Sequence, residues 1–393
     1  MSDDDGLVIG TTSTALGSLG ASPGSDWYAW ELAGKAPRSL DGNGTAHRYG
    51  EDAALLAEHG ITAHRVVIDW TTVAPKPGRL DPAAIERERE RLSALVQCGI
   101  APWVALHHIA LPGWFVDDGG FADDHARGRH WPRYVDEVAQ ELGDLVAGWF
   151  PILEPTRWAR AAFVDGRRPP GRTEPELFAK ALRGIWLAWL DAWRQLRGSS
   201  APVATAIDLA PVRAADETIP ALQRARRHDH LIWTVAINAL RDGVLDIPGL
   251  AIEEVPDLRD SADIIGFTYR GGLTIPATGA FGPYPLDAPQ PWVEGLADTL
   301  HRLAEALPSR RYAIAEHGVG TDDDDRRADL IDRTMAQLRD AQGDGIDVCA
   351  YFYHGAIDGY EPSTGFVTPW GVFDRDRNAR GSAEVLARAG TLA

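Results

Sequence analysis

Pro151-Ile152-Leu153-Glu154-Pro155 is the stretch of sequence from which the fold can be inferred. The residues before it, 145–150, read Leu-Val-Ala-Gly-Trp-Phe, a mostly apolar run that is typical of the end of a buried strand. One carboxylate follows, and Pro155 biases Glu154 away from helical backbone angles. Functional residues collect at the carboxyl ends of strands in proteins built from alternating strands and helices. The stretch therefore predicts a strand that ends in a functional acid.

A second stretch has the same form and ends in another acid. Residues 311–318 read Arg-Tyr-Ala-Ile-Ala-Glu-His-Gly, which places Glu316 after an apolar strand. Two carboxylates across a pocket can hydrolyse a glycosidic bond, one as the nucleophile and the other as the acid and then the base. A separation of about 5–5.5 Å leads to retention of configuration, and one of about 6.5–9.5 Å leads to inversion. The sequence does not give this distance, so both outcomes stay open at this point.

Apolar runs of strand length recur along the chain, and helical segments separate them. The other predicted strands span 7–12, 64–70, 100–106, 203–207, 262–269 and 345–353. The predicted helices span 47–59, 82–98, 132–146, 175–197, 293–306 and 382–389, with a mostly helical stretch at 216–247 and a helix that opens at 322–325. Short, largely apolar strands are typical of a sheet covered on both faces. The order predicts a single (β/α)8 TIM barrel, with residues 1–393 as one domain.

Two local features bear on this architecture. A doubly wound sheet is the alternative fold, but no Gly-x-Gly-x-x-Gly turn follows the first predicted strand. The Gly- and Pro-rich loop at 271–292 is longer than a structural connection needs. Loops of that length in a compact domain are usually functional. We therefore expect this loop to have a functional role.

Composition excludes several classes of partner. The chain has a formal net charge of −18, which argues against nucleic acid or an anionic membrane as a ligand. Cys98 and Cys349 are the only cysteines, so we expect no disulfide framework. We expect a cytoplasmic location, since that compartment is reducing. Residues 1–5 lack the basic start of a signal peptide, and no apolar run is long enough to span a membrane. No metal-type spacing of Cys and His occurs, and no cofactor is expected.

Polar residues cluster at the predicted strand ends. They are Arg65, His107, His108, Glu154, Tyr269, Glu316 and Glu361. A single such residue fits a helix cap or an ion pair, but so many at one end of a barrel indicate an active site. A nucleophilic carboxylate must be ionised, and Arg65 is expected to lower its pKa. The apolar neighbours of Glu154 are expected to raise its pKa, as a general acid requires.

Several further stretches follow one family pattern in order and spacing. Residues 47–52 resemble H-R-Y-x-E-D, 65–70 resemble R-F-S-I-S-W, 107–112 resemble Y-H-W-D-L-P, 263–269 resemble D-F-I-G-x-N-Y and 350–361 resemble G-Y-F-Y-W-S-L-L-D-N-F-E. Residues 151–155 fall where the pattern has T-F-N-E-P, and residues 312–318 match Y-I-T-E-N-G. Over nearly its full length, the chain therefore resembles family 1 glycoside hydrolases, the β-glucosidase family. The resemblance implies a TIM barrel, a small-molecule glycoside substrate and retention of configuration. It makes Glu154 the acid/base and Glu316 the nucleophile.

The departures from the family pattern fall in the part that binds the glycone. Leu153 stands where the family has an Asn that holds the sugar 2-hydroxyl, and residues 13–20 contain no counterpart of a glycone-binding Gln. His354 and Pro362 stand where the family has Trp. Arg270 replaces a Tyr that touches the nucleophile. The residues expected to bind substrate are Arg65, His107, His108, Leu153, Tyr269, Arg270, His354 and Glu361.

These departures predict an altered sugar rather than an altered reaction. The favoured interpretation is a retaining β-glycosidase whose glycone is deoxygenated at C2 or modified at C3 or C4. One alternative is a transglycosidase, or an enzyme of specialised metabolism that acts on a non-sugar acetal. Another is a barrel that binds a sugar or small molecule without turnover. The oligomeric state is left open by the sequence.

Overall fold

The computed structural model describes residues 6–285 and 290–391. The N-terminal stretch 1–5 and part of the 271–292 loop, residues 286–289, lie outside the described residues, as do residues 392 and 393. The eight barrel strands are Val8–Thr12, Ala63–Val67, Ala101–His107, Gly148–Ile152, Ile207–Leu209, Ile264–Tyr269, Arg311–His317 and Asp347–His354. They are numbered here from first to eighth in chain order.

The eight strands form one parallel sheet in the spatial order 4-3-2-1-8-7-6-5. The segment before the fifth strand closes this sheet on the fourth strand. Trp149 donates its backbone N–H to the carbonyl of Pro202 at 2.9 Å, and Ala204 donates to the carbonyl of Trp149 at 2.8 Å. The sheet is therefore a closed barrel, and the predicted TIM-barrel fold is confirmed.

Helices cover the outside of the barrel and its carboxyl-terminal rim. The α-helices of the described residues are Ala15–Leu19, Asp26–Leu32, Thr45–Glu58, Trp70–Val73, Pro82–Gln97, Gly113–Asp117, Asp124–Leu142, Pro155–Phe163, Pro175–Leu196, Ile219–Asp229, Val235–Asp242, Val293–Ala306, Asp324–Gly343 and Gly381–Thr391. None of them is long and apolar enough to cross a membrane. Three short strands, Val212–Ala214, Gly272–Ile275 and Gly282–Tyr284, form a separate sheet on the same chain.

Two helical regions on either side of the fourth strand differ from the sequence prediction. The helix expected at 132–146 begins at Asp124 instead, because the carboxylate of Asp123 accepts the N–H groups of His125 and Ala126 and so caps it there. Pro132 lies inside this helix rather than at its start. The helix Pro155–Phe163, directly after Glu154, was not predicted, although proline suits a first helical position.

The barrel interior is packed with small and aromatic side chains. Ala63, Ala105 and Ala313 lie there beside Trp103 and Phe150, whose rings are 5.2 Å apart. The larger aliphatic residues of the strands face outward and pack against the helices. Successive side chains of a strand point to opposite faces, so the interior holds every second residue. This filling leaves the carboxyl-terminal mouth as the place for a site.

Two contacts tie distant parts of the chain to the barrel. The helix Pro175–Leu196 approaches the short helical turn Gly120–Ala122 so closely that a Cβ atom on Gly184 would lie 1.7 Å from the carbonyl oxygen of Phe121. Arg377, near the C-terminal helix, donates to both carboxylate oxygens of Asp52 at 2.8 and 3.2 Å. Both members of this ion pair are buried. The C-terminal segment is thereby fixed to the helix Thr45–Glu58.

Candidate active site

Glu154 follows the fourth strand in an unusual backbone conformation. Its φ and ψ are 50° and 55°, in the left-handed region that non-glycine residues seldom adopt. Its N–H donates to the carbonyl of Ala206 at 2.8 Å, and Pro155 begins a helix immediately afterwards. A residue held in this region costs of order 1–3 kcal/mol, and such strain gathers at functional sites. The side chain is buried and points into the barrel mouth.

Glu316 lies on the seventh strand, and a buried arginine from inside the barrel supports it. Arg65 is fully buried and donates to the carbonyl of Ala315 at 2.7 Å and to the carboxylate of Glu316. Burial raises the pKa of Glu316, but the positive charges of His354, Arg65 and Arg270 outweigh it and hold this pKa well below its usual range. Glu316 is therefore an ionised carboxylate.

One guanidinium group joins the two glutamates. Arg270 donates from Nε to Oε1 of Glu154 at 3.0 Å, and from Nη2 to Oε1 of Glu316. The hydroxyl of Thr268 donates to the same Glu154 oxygen at 3.1 Å. Because the guanidinium is planar and small, the two carboxylates face each other across its width. This is an arrangement for paired-carboxylate chemistry.

The predicted rise in the pKa of Glu154 is wrong for this arrangement. Burial does raise it, as its apolar neighbours suggest, but Arg270, Arg157 and His108 together lower the pKa well below its usual range. The prediction failed because a guanidinium from the sixth strand was not expected between the two carboxylates. In the absence of substrate, Glu154 is therefore ionised.

Two histidines flank the glutamate pair. His354 lies on the eighth strand, with Nε2 3.1 Å from Oε1 of Glu361 and Nδ1 3.7 Å from Oε1 of Glu316. Burial lowers the pKa of His354, but these two carboxylates outweigh it and raise this pKa above its usual value. Nε2 of His108 lies 3.6 Å from Oε2 of Glu154, and burial lowers the pKa of His108. No hydrogen-bond partner of Oε2 exists among the described residues. That oxygen is the one free to meet a ligand.

A cavity of about 1000 Å³ opens over this group. Of the residues predicted to bind substrate, His108, Arg270, His354 and Glu361 line it. Trp370 lines it too and contacts His354 edge to face, with ring centroids 5.1 Å apart. Arg65 lies behind Glu316, without a surface in the cavity.

Three other residues predicted to bind substrate do not line the cavity, and the buried Glu154 and Glu316 are not among its lining residues either. Tyr269 faces outward, and its hydroxyl donates to the carbonyl of Trp292 at 2.6 Å. His107 packs between the rings of Phe121 and Trp158. Leu153 is buried in the apolar cluster inside the barrel.

The site also contains residues that were not predicted from the sequence. Thr268 lies on the same strand face as Gly266 and two positions before Arg270, so strict alternation along the sixth strand could have identified it. Asp208 also lines the cavity, and burial together with the charge of Glu154 raises its pKa to about 7. Arg157 and Arg168 also line it, and no pattern in the sequence marked them.

The chain is similar in sequence to one family of known enzymes. The sequence model of glycosyl hydrolase family 1 matches residues 42–236 and 288–389. Thermostable β-glucosidase B of Thermobispora bispora is 24% identical over 415 residues, which cover 93% of this chain and 85% of that protein. β-Glucosidase 10 of Arabidopsis thaliana is 25% identical over 422 residues, covering 88% and 83%.

Solved structures have the same architecture. A β-glycosidase from Pyrococcus horikoshii superimposes with a TM-score of 0.87 at 25% identity, covering 98% of this chain and 93% of that one. A family 1 β-glucosidase from Thermotoga maritima in complex with isofagomine lactam gives a TM-score of 0.88 at 20% identity, covering 100% and 98%. At that identity, the second likeness supports the fold alone.

Proposed function

The chain belongs to glycosyl hydrolase family 1 and is a glycoside hydrolase, and from this premise we propose that Glu316 and Glu154 cleave its substrate with retention of configuration. The observation that carries the proposal is the bridge that Arg270 makes between the two buried carboxylates. One guanidinium group is wide enough to contact both carboxylates at once. This favours the shorter separation of about 5–5.5 Å that retaining enzymes have.

The reaction has two steps. An oxygen of Glu316 attacks the anomeric carbon, while Glu154 gives its proton to the glycosidic oxygen and the leaving group departs as an alcohol. Glu154, now ionised, takes a proton from water, and the water oxygen attacks the anomeric carbon. The bond to Glu316 breaks, and the sugar leaves with its original configuration. The low pKa of Glu316 suits the nucleophile, because only the ionised form attacks.

Glu154 must gain a proton before the first step, and Arg270 governs when this happens. In the free site its positive charge lowers the pKa of Glu154. A sugar that enters between the carboxylates displaces the guanidinium from Glu154 and leaves it with Glu316. Burial, which raises the pKa of a carboxylic acid, is then opposed only by Arg157 and His108. Substrate binding thus raises the pKa of Glu154, as an acid requires.

We propose in addition that the glycone differs from glucose. Leu153 provides no hydrogen-bonding group where the family has Asn, and residues 13–20 provide no Gln. A sugar hydroxyl buried without a partner costs about 1–3 kcal/mol. Such a cost selects against glucosides and for sugars that lack or modify the hydroxyl. The hypothesis of a 2-deoxy sugar, or one modified at C3 or C4, rests on these two departures.

Two measurements test these proposals separately. A 2-fluoro glycoside that traps the nucleophile is expected to label Glu316 in the mass spectrum of the digested protein, and not to label the Glu316→Ala variant. Labelling of another residue would overturn the assignment. A panel of nitrophenyl glycosides tests the sugar, and glucoside hydrolysis as fast as that of every 2-deoxy or modified sugar would reject an altered glycone.

A further inference from the structure

The cavity is basic, although the protein as a whole is strongly acidic. The formal net charge of the chain is −18. The permanently positive residues that line the cavity, among those described, are Lys35, Arg157, Arg160, Arg167, Arg168 and Arg270. Its acidic lining residues are Asp165, Asp208 and Glu361, and the raised pKa of Asp208, about 7, weakens its charge near neutral pH. Positive charge is therefore concentrated where the substrate binds.

Part of this charge is already neutralised. Arg160 and Arg167 both contact the carboxylate of Asp165, at 3.1 and 2.7 Å. Arg270 is held by the two glutamates of the proposed mechanism. These three guanidinium groups are therefore committed to partners within the protein.

Arg157 and Arg168 are not committed in this way. Nη1 of Arg157 comes only to 3.6 Å from Oε1 of Glu154, beyond the range of a hydrogen bond. Nη1 of Arg168 is buried, and no group of the described chain accepts a hydrogen bond from it. A buried donor without an acceptor destabilises the protein, and a charged donor does so more strongly. Both side chains therefore have donors to offer to a ligand.

The two guanidinium groups also act on each other. Burial lowers the pKa of Arg168 to about 10, and repulsion from Arg157 and Arg270 contributes to that decrease. Like charges that are held together in a partly desolvated cavity destabilise one another. Both residues line the same cavity, so an anion bound there beside them would reduce the repulsion and accept hydrogen bonds from the free donors. Paired guanidinium groups suit carboxylates and phosphates, whose oxygens accept several hydrogen bonds at once.

The position of the arginines indicates which part of the substrate carries the anion. Arg157 lies on the helix that Pro155 begins, three residues after Glu154, and so stands on the acid's side of the cavity. The acid faces the leaving group in the mechanism proposed above, on which this step rests. We infer that the leaving group bears a carboxylate or a phosphate ester and that Arg157 and Arg168 bind it.

Paired substrates with one sugar and two leaving groups test the inference. The 4-carboxyphenyl and 4-carbamoylphenyl glycosides differ in charge but hardly in shape. We expect the enzyme to prefer the carboxylate at least tenfold in kcat/KM. Arg168→Gln should reduce this ratio at least tenfold, and Arg168→Lys should restore part of it. Arg197→Gln removes the same charge from an exposed position outside the cavity and should keep the wild-type ratio.

An equal rate on the two glycosides, or a preference that survives in Arg168→Gln, would overturn the inference. A binding measurement keeps it testable if neither glycoside is hydrolysed. Calorimetric titration with 4-hydroxybenzoate and with phenyl phosphate is expected to show binding that Arg168→Gln weakens at least tenfold, whereas 4-hydroxybenzamide binds poorly. The stronger of the two anions identifies the chemical class. Such binding without hydrolysis would retain the anion site independently of the proposed reaction, and no binding by either anion would reject the site.

Discussion

At the scale of single residues, Arg270 determines the electrostatics of the site. It lowers the pKa of both Glu154 and Glu316, against the effect of burial. The alkaline limb of kcat/KM against pH reports loss of the acid's proton in the free enzyme, and the acid limb reports ionisation of the nucleophile. Arg270→Met removes the positive charge, so both pKa values rise. The whole pH profile should therefore move to higher pH by about one unit or more, which is the size of shift that a nearby opposite charge produces.

Arg197→Met is the matched control, since this exposed arginine lies away from the cavity and should leave the profile in place. An Arg270→Met profile that coincides with that of the wild type would show that the arginine does not hold Glu154 ionised.

Glu154 is expected to matter most for poor leaving groups. Without a general acid, a leaving group with a high pKa departs slowly, whereas an activated nitrophenolate needs little protonation. Glu154→Ala should therefore reduce kcat/KM for alkyl or unsubstituted phenyl glycosides about 10²–10⁴-fold, and far less for dinitrophenyl glycosides. A series of aryl glycosides measured at one pH gives the dependence. An equal loss across the series would contradict the acid role.

Some residues of the site could be predicted from the sequence, but the contacts among them could not. The two glutamates were identifiable, because each follows an apolar strand and stands before a break in it. Arg65 was identifiable as a charge within an apolar strand. The contact of Arg270 with both carboxylates could not be predicted, since it depends on how the sixth strand is placed against the fourth and seventh. The same holds for Arg157 and Arg168.

At the scale of elements, close packing of the helix Pro175–Leu196 gives a sharp test of stability. A Cβ atom on Gly184 would meet the carbonyl oxygen of Phe121 at 1.7 Å, so backbone must move. The clash should exceed the gain of about 1 kcal/mol that alanine brings to a helix interior. We expect Gly184→Ala to lower the free energy of unfolding by about 1–3 kcal/mol, measured by urea denaturation. Gly198→Ala, where nothing lies within 4 Å of the added atom, is the control and should change little.

Element boundaries followed from the sequence where hydrophobic periodicity was unbroken. The helices Pro82–Gln97 and Pro175–Leu196 begin and end within a residue or so of the predicted positions. The helices Ala15–Leu19 and Asp26–Leu32 were missed, because Gly- and Ser-rich flanks resemble a loop. Their buried Trp27 and Trp30 pack on Leu16 in a small cluster near the mouth. Tertiary packing, rather than local propensity, stabilises these short helices.

At the scale of the whole molecule, a buried ion pair joins two segments that are far apart in sequence. Arg377 and Asp52 form it, and removing one partner would leave the other charge buried and unpaired. We expect Asp52→Ala to destabilise the protein by about 3–5 kcal/mol, measured by urea denaturation. Glu51→Ala removes the neighbouring carboxylate, which pairs with Arg48 at the surface, and should have little effect. Equal effects of both substitutions would show that the pair does not stabilise the fold.

We also propose that residues 1–393 behave as one domain, as the sequence predicts. The C-terminal helix Gly381–Thr391 packs against the helix Asp324–Gly343 and the first strand, so it belongs to the same packed unit as the barrel. Unfolding should then follow a single transition by fluorescence and by circular dichroism. Two separate transitions would contradict a single domain.

The guanidinium between Glu154 and Glu316 has a consequence for inhibition. Cleavage of a glycosidic bond passes through an oxocarbenium-like state, whose positive charge develops between these two carboxylates. Arg270 already supplies a delocalised, planar cation at that place. The free protein thus contains an internal mimic of the charge that its own reaction generates. Basic sugar-shaped amines imitate the same charge, so they must compete with Arg270 for the two carboxylates. Compared with a site that lacks this arginine, the amines should lose more affinity than neutral analogues of the substrate.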